Sequence, residues 1–187
     1  MSFIKRLLGS EKDPILEKCS EIARSNGISL DDNEWQFVKH ERDVVASSVL
    51  GSAYVHKDIF HSLCFLSLYD GLFKAGIELL KNQQTKNAIH SLEKARSLLI
   101  WPTVSYGLGH AYRVLGDYQK AKIYLSQALE IFDKRIEILD KIIPESLPSK
   151  HDFIILVSKQ LDNQMLHFGF ENEEECKKAI REALTKV

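Results

Sequence analysis

Sliding the sequence by 33 residues places Gly76 on Gly109, Leu79 on Tyr112, Ala88 on Ala121, Leu92 on Leu125 and Ala95 on Ala128 without a gap. No other feature restricts the fold as strongly, because a fixed period of roughly 20 to 50 residues marks a stack of like units. The matched positions repeat in size, and the small ones need explaining. Gly109 lies within LGHAYRVLGDYQKAKIYLSQAL, which is apolar at helical spacing, and a glycine inside a helix costs about 1 kcal/mol against alanine. Such a glycine points to two backbones in close approach. Each unit is therefore predicted to be a pair of antiparallel helices, with Gly76 facing Ala88 and Gly109 facing Ala121 where the axes come nearest. Ala95 and Ala128, three residues past the large Leu92 and Leu125, are left to receive the next pair.

The rest of the chain is punctuated in the same helical manner. Residues 13 to 27 read as a small helix with Asp13 as cap, Pro14 in the first turn and Asn26-Gly27 as the stop. A second helix is predicted from Asp31 to His56, although the β-branched run from Val44 to Val49 equally suits a strand. Further helices are expected over 59–81, 85–99, 103–115, 118–143, 150–167 and 173–186, separated by Pro102, Gly116-Asp117, Pro144 with Pro148, and Gly169. Only four prolines and nine glycines interrupt 187 residues, and no Gly, Ser or Pro linker divides them. The fold class is all-α, with one helical domain over 1–187.

The second copy, with Leu108, Gly109, Tyr112, Gly116, Asp117, Tyr118, Ala121, Leu125 and Ala128, resembles the tetratricopeptide repeat, whose signature sets Leu-Gly, Tyr and two alanines at these spacings. Ser105 stands where that signature has a large residue, and the first copy has Gln83 and Thr85 in place of the turn's Gly and Tyr. The resemblance covers about two repeats within 69–132 and implies antiparallel helix pairs stacked as a short superhelix with capping helices at both ends. On this reading 1–12 are an N-terminal tail or short amphipathic turn, 13–68 N-terminal capping helices, and 133–187 a helix extension followed by C-terminal capping helices. The extension carries Ile131, Phe132, Ile136, Leu139 and Ile143 as an apolar stripe. Ala46, Leu50 and Ala53, and Cys176, Ile180 and Ala183, repeat the small-large-small spacing of the second helices.

Composition argues against several function classes. Lys and Arg total 25 against 26 Asp and Glu, with no basic stripe, so no nucleic-acid partner is expected. Cys19, Cys64 and Cys176 are odd in number and widely separated, which suits core filling in a reducing, cytoplasmic compartment. No apolar run approaches the length that spans a bilayer. Phe3, Ile4, Leu7 and Leu8 with Lys5 and Arg6 give the N-terminus at most weak membrane contact. No metal-ligand spacing, phosphate-binding loop or nucleophile motif is present, so neither metal nor cofactor is expected and no catalytic residue is assigned. The charged KHERD stretch at 39–43 reads as a solvated helix face.

In the resembling family, the first helices of each pair line a concave groove. The candidate partner-binding residues are then Phe73, Ile77, Leu80 and Lys81 from the first copy and Thr103, Tyr106, His110 and Arg113 from the second. Tyr106, His110 and Arg113 share a face at i, i+4 and i+7, while Leu108, Tyr112 and Leu115 take the packing face. The apolar part of the groove either accepts a partner's hydrophobic side chain or is covered by another segment of the chain. Phe73, Ile77, Tyr106 and His110 do not supply the paired Lys and Asn with which some members clamp a chaperone's C-terminal carboxylate. The resemblance implies a non-catalytic adaptor or chaperone binding a protein or peptide. The alternatives are a helical regulator whose groove takes a small ligand or an internal segment, and an enzyme without a recognisable motif.

Overall fold

The computed structural model describes residues 13–50, 57–147 and 149–187, with the backbone alone at 43–50, 57 and 58. Its elements are α1 (Pro14–Ser25), α2 (Asp32–Leu50), α3 (Lys57–Lys81), α4 (Thr85–Leu98), α5 (Pro102–Val114), α6 (Tyr118–Ile142), α7 (Lys150–Asp162), a 3-10 helix (Asn163–Phe168) and α8 (Glu173–Leu184). Among the described residues there is no strand, and the fold is all-α. The Val44 to Val49 run is helical within α2. The N-terminal amphipathic turn and Ala53 lie outside the described residues, and the side chains of Ala46 and Leu50 are likewise not described. The chain divides into two compact units, Met1–Ala75 and Gly76–Val187, with the boundary inside α3.

In the first unit, carboxylates fix the helix starts. Asp13 Oδ1 accepts from the Ile15 and Leu16 amides, which have no partner within the helix. Its other oxygen takes Arg42 Nε at 2.5 Å. Asp31 and Glu34 cap each other's amides reciprocally at the start of α2. The KHERD stretch is not a wholly solvated face: Glu41 is buried and pairs with Lys74 Nζ at 2.7 Å. Burial of α2 against α3 draws that carboxylate inward, and a buried charge requires such a partner. Here also a Cβ added to Gly71 would lie 2.8 Å from the Val38 backbone N and Cα, so two helix backbones meet at a glycine with no counterpart 33 residues on, where Val104 stands.

The second unit shows the 33-residue repeat in three dimensions. A Cβ added to Gly76 would lie 2.7 Å from Leu92 Cγ and 2.9 Å from Leu92 Cδ2, and at Gly109 the same distances to Leu125 are 2.7 and 2.9 Å. Each glycine therefore lies nearest the leucine four residues past the alanine predicted to meet it, and at Gly76 the predicted Ala88 is also in reach, its carbonyl oxygen 3.3 Å from the added Cβ. The branched side chain fills the space left by the missing Cβ and buries more apolar area than an alanine would. The repeat continues through the turns. Gln83 and Gly116 both have positive φ, at 60° and 78°. Behind them the Gln84 amide bonds Leu79 O at 2.8 Å, and the Asp117 amide bonds Tyr112 O at 3.0 Å, the same helix-terminating motif twice.

Past Ala128 the array departs from regularity. Leu125, Ala128 and Phe132 of α6 form a core with Met165 and with Cys176, Ile180 and Ala183 of α8, so the small-large-small spacing of α8 serves to seat it on α6. Ile131, Phe132, Leu139 and Ile143 are buried, but Ile136 is exposed, since five residues spaced over three turns drift beyond one contact stripe. Leu115, predicted on a packing face, is also exposed. It is the C-cap of α5, where the helix ends and leaves its pair. The helix predicted over 150–167 ends at Asp162 and continues as the 3-10 turn.

Candidate functional site

The α5 face begins at Trp101, a buried residue in extended backbone that precedes Pro102 at the first helical position. Proline's fixed φ and missing amide suit that position. From there Thr103, Tyr106, His110 and Arg113 follow at spacings of three, four and three residues, on one side of the helix. Leu108 and Gly109 beside them are buried, with Gly109 against Leu125 of α6, and Tyr106 itself packs on the core that Leu125, Ala128 and Phe132 form.

The first half of this face is covered by the chain itself. Thr103 Oγ1 donates to Gln164 Oε1 at 2.5 Å, with both residues buried. Tyr106 is half-buried and takes two rings edge-on: Phe168 at a centroid distance of 4.8 Å and 89°, and Phe170 at 5.4 Å and 69°. Such pairs contribute about 0.5 to 1.5 kcal/mol each beyond their burial. Gly107 makes the approach possible, since a Cβ there would lie 3.3 Å from Phe168 Cζ and 3.3 Å from Leu92 Cδ1. Gly169, at φ 82°, turns the chain between the two phenylalanines, a conformation open to glycine at no steric cost.

The second half of the face is polar and more accessible. Arg113 Nη2 lies 3.4 Å from His110 Nδ1. A guanidinium has no acceptor, so Nδ1 accepts and the ring's proton sits on Nε2. Burial, reinforced by the Arg113 charge, holds the imidazole below its ordinary value. The Tyr106 hydroxyl is pushed up by burial and by Cys176 nearby. The face thus presents neutral hydrogen-bonding groups and one cation, Arg113.

Of the other sequence-predicted residues, Ile77 is buried, Leu80 half-buried and Lys81 exposed at the end of α3. Phe73 is fully buried in the first unit. Phe73 and Ile77 therefore present no surface to a partner, because the apolar residues of an inner helix are consumed by packing. Sequence reasoning did not single out Gln164, Phe168 or Phe170. The signal available for them is the Phe-Gly-Phe triplet directly after a helical segment, where the glycine reads first as a helix stop.

A family model described as the tetratricopeptide repeat matches residues 102–135, the stretch comprising α5 and the first part of α6. No curated protein and no solved structure matches the chain. The tetratricopeptide match begins at Pro102 and does not extend over Gly76 and Leu92, although these repeat the Gly109 and Leu125 geometry. The repeat and the helical fold identify a protein-interaction module in general terms. Among the described residues, no helix is long and apolar enough to cross a membrane.

Proposed function

We propose that the protein is a non-catalytic cytoplasmic adaptor or chaperone that holds a segment of a partner protein on the α5 face, through Tyr106, His110 and Arg113, with Leu80 and Lys81 of α3 extending the same surface. The observation that carries this reading is that the face already holds a short non-α-helical segment, bound by one buried hydrogen bond and two ring contacts. Peptides bind such grooves in the same way, through aromatic anchors and a few polar contacts. The regulator reading, in which the groove holds an internal segment, is favoured by the same contact.

A photo-crosslinking amino acid at position 113, compared with one at Ile123, tests the proposal. Ile123 lies on α6 and is 63% exposed, so it samples a surface away from the α5 face. One partner protein captured at 113 and not at 123 is expected, with capture reduced about tenfold by His110→Ala, a loss of roughly 1.4 kcal/mol. Capture at 123 alone would move the interaction to the outer helices and overturn the reading.

A further inference from the structure

The outward face of α7 joins two exposed aliphatic side chains to one acid and one base, in an order complementary to its own reverse. We infer that this face is a homodimer interface, on which α7 of a second copy lies antiparallel. The inference is independent of the reading of the α5 face, whose residues it does not use.

Packing within the chain leaves the two aliphatic residues over. α7 packs on α6 and buries Ile154, Val157, Ser158 and Leu161, a complete stripe at i, i+3, i+4 and i+7. Ile155 and Leu156 stand outside it, 38% and 63% exposed. A helix that serves one core is polar on its far side, so two adjacent large aliphatic residues at its midpoint answer to something beyond that core. Leu156 also borders a cleft of about 490 Å³ together with Leu166, itself 62% exposed. The apolar surface therefore reaches past the helix and is a patch, where single exposed apolar residues would need no explanation.

The charges on the same face identify the occupant. Asp152, Ile155, Leu156 and Lys159 are all exposed and again follow i, i+3, i+4 and i+7. Asp152 and Lys159 have no ion pair or hydrogen bond among the described residues, whereas Lys150 of the same helix holds both Asp140 and Glu145. Seven residues, about 10 Å of helix, keep them from each other. Turning a second α7 end for end about the point between 155 and 156 sets Asp152 level with Lys159 of the other copy and Ile155 level with its Leu156. Each pairing then occurs twice, as a two-fold interface requires. A parallel copy would set like charges level with each other, and an unrelated partner would need no such self-complementarity. Asp152 in the first turn and Lys159 in the last also suit the helix dipole, but that role does not call for the aliphatic pair between them.

Sedimentation equilibrium of the full chain, from micromolar to several hundred micromolar, tests the inference. One helix pair is a small interface, so a weak equilibrium between monomer and dimer is expected. A chain that stays monomeric throughout overturns the inference. Asp152→Lys sets lysine level with lysine in both pairs, and Lys159→Asp sets aspartate level with aspartate, so each variant alone is expected to dimerise at least about tenfold more weakly than the native chain. Mixed in equal amounts, the two single variants are expected to form a heterodimer, because every pair is then opposite in charge. Asp152→Lys combined with Lys159→Asp in one chain is expected to recover the native dimer, and Leu156→Ser, which keeps both charges, to abolish it. Dimerisation indifferent to the single reversals, or not recovered in the mixture, overturns the inference. A role confined to the helix ends predicts the opposite order, with the double variant the most impaired. Should the double variant melt too early to be measured, the mixture tests the same pairing with only one helix end reversed in each chain.

Discussion

Replacing Gly109 by alanine sets two effects of similar size against each other, so the sign of the outcome is informative. In a helix interior the substitution gains about 1 kcal/mol of intrinsic propensity. Against this, the new Cβ would lie 2.7 Å from Leu125 Cγ, 2.9 Å from Cδ2 and 3.2 Å from the Leu125 backbone nitrogen. Leu125 is 1% exposed, and its branch point cannot rotate away without displacing the core shared with α8. Overpacking of this kind costs about 1 to 3 kcal/mol. The expected net result is a loss of about 1 kcal/mol for Gly109→Ala and of several kcal/mol for Gly109→Leu, which must displace the backbone. For a chain of this length each kcal/mol lowers the melting temperature by about 2 to 4 °C. Leu125→Ala alone is expected to cost about 2 to 5 kcal/mol. Combined with Gly109→Ala it should be less damaging than the sum by about 1 kcal/mol, since most of the clash is then gone. The backbone nitrogen contact remains, so relief is partial. Gly76→Ala is expected to behave alike because its distances to Leu92 are the same. Thermal melting of the five variants decides the matter. A higher melting temperature for Gly109→Ala, or strict additivity with Leu125→Ala, would refute the close-approach argument.

Two further outcomes follow from the turn of the first copy and from the open end of the α5 face. Gln83 occupies the left-handed conformation that Gly116 takes in the second copy, so Gln83→Gly is expected to stabilise the protein by about 0.5 to 1 kcal/mol, read by urea unfolding; destabilisation would mean that the side chain makes a compensating contact. His110 has a lowered pKa in the folded chain, so between that value and the unfolded value of about 6.5 the unfolded chain binds the proton more readily and stability falls as pH drops. Urea midpoints measured from about pH 7.5 to 5 should show this decline beginning near 6.5 in the native chain and a smaller decline in His110→Gln; identical profiles would dismiss the effect.

The all-α fold, the helix starts at Pro14, Thr85, Tyr118 and Glu173 and the period of 33 were legible in the sequence because each depends on near neighbours. Asp13 caps amides two and three residues away, and Gly116 supplies a local positive φ. Gly76 and Gly109 announced a close approach by their cost in a helix. Only the tertiary structure decided what approached them, because the spacing between two helices does not say which rung of the second, Ala121 or Leu125, falls opposite the glycine. The same limit applied to the α5 face. Helical periodicity placed Thr103, Tyr106, His110 and Arg113 together, yet Gln164 is 61 residues from Thr103, and no local pattern links them. That pairing is set by where α6 and α7 return the chain. Burial of Phe73 and Ile77 was likewise invisible, since an apolar residue on an inner helix reads alike whether it faces a partner or its own core.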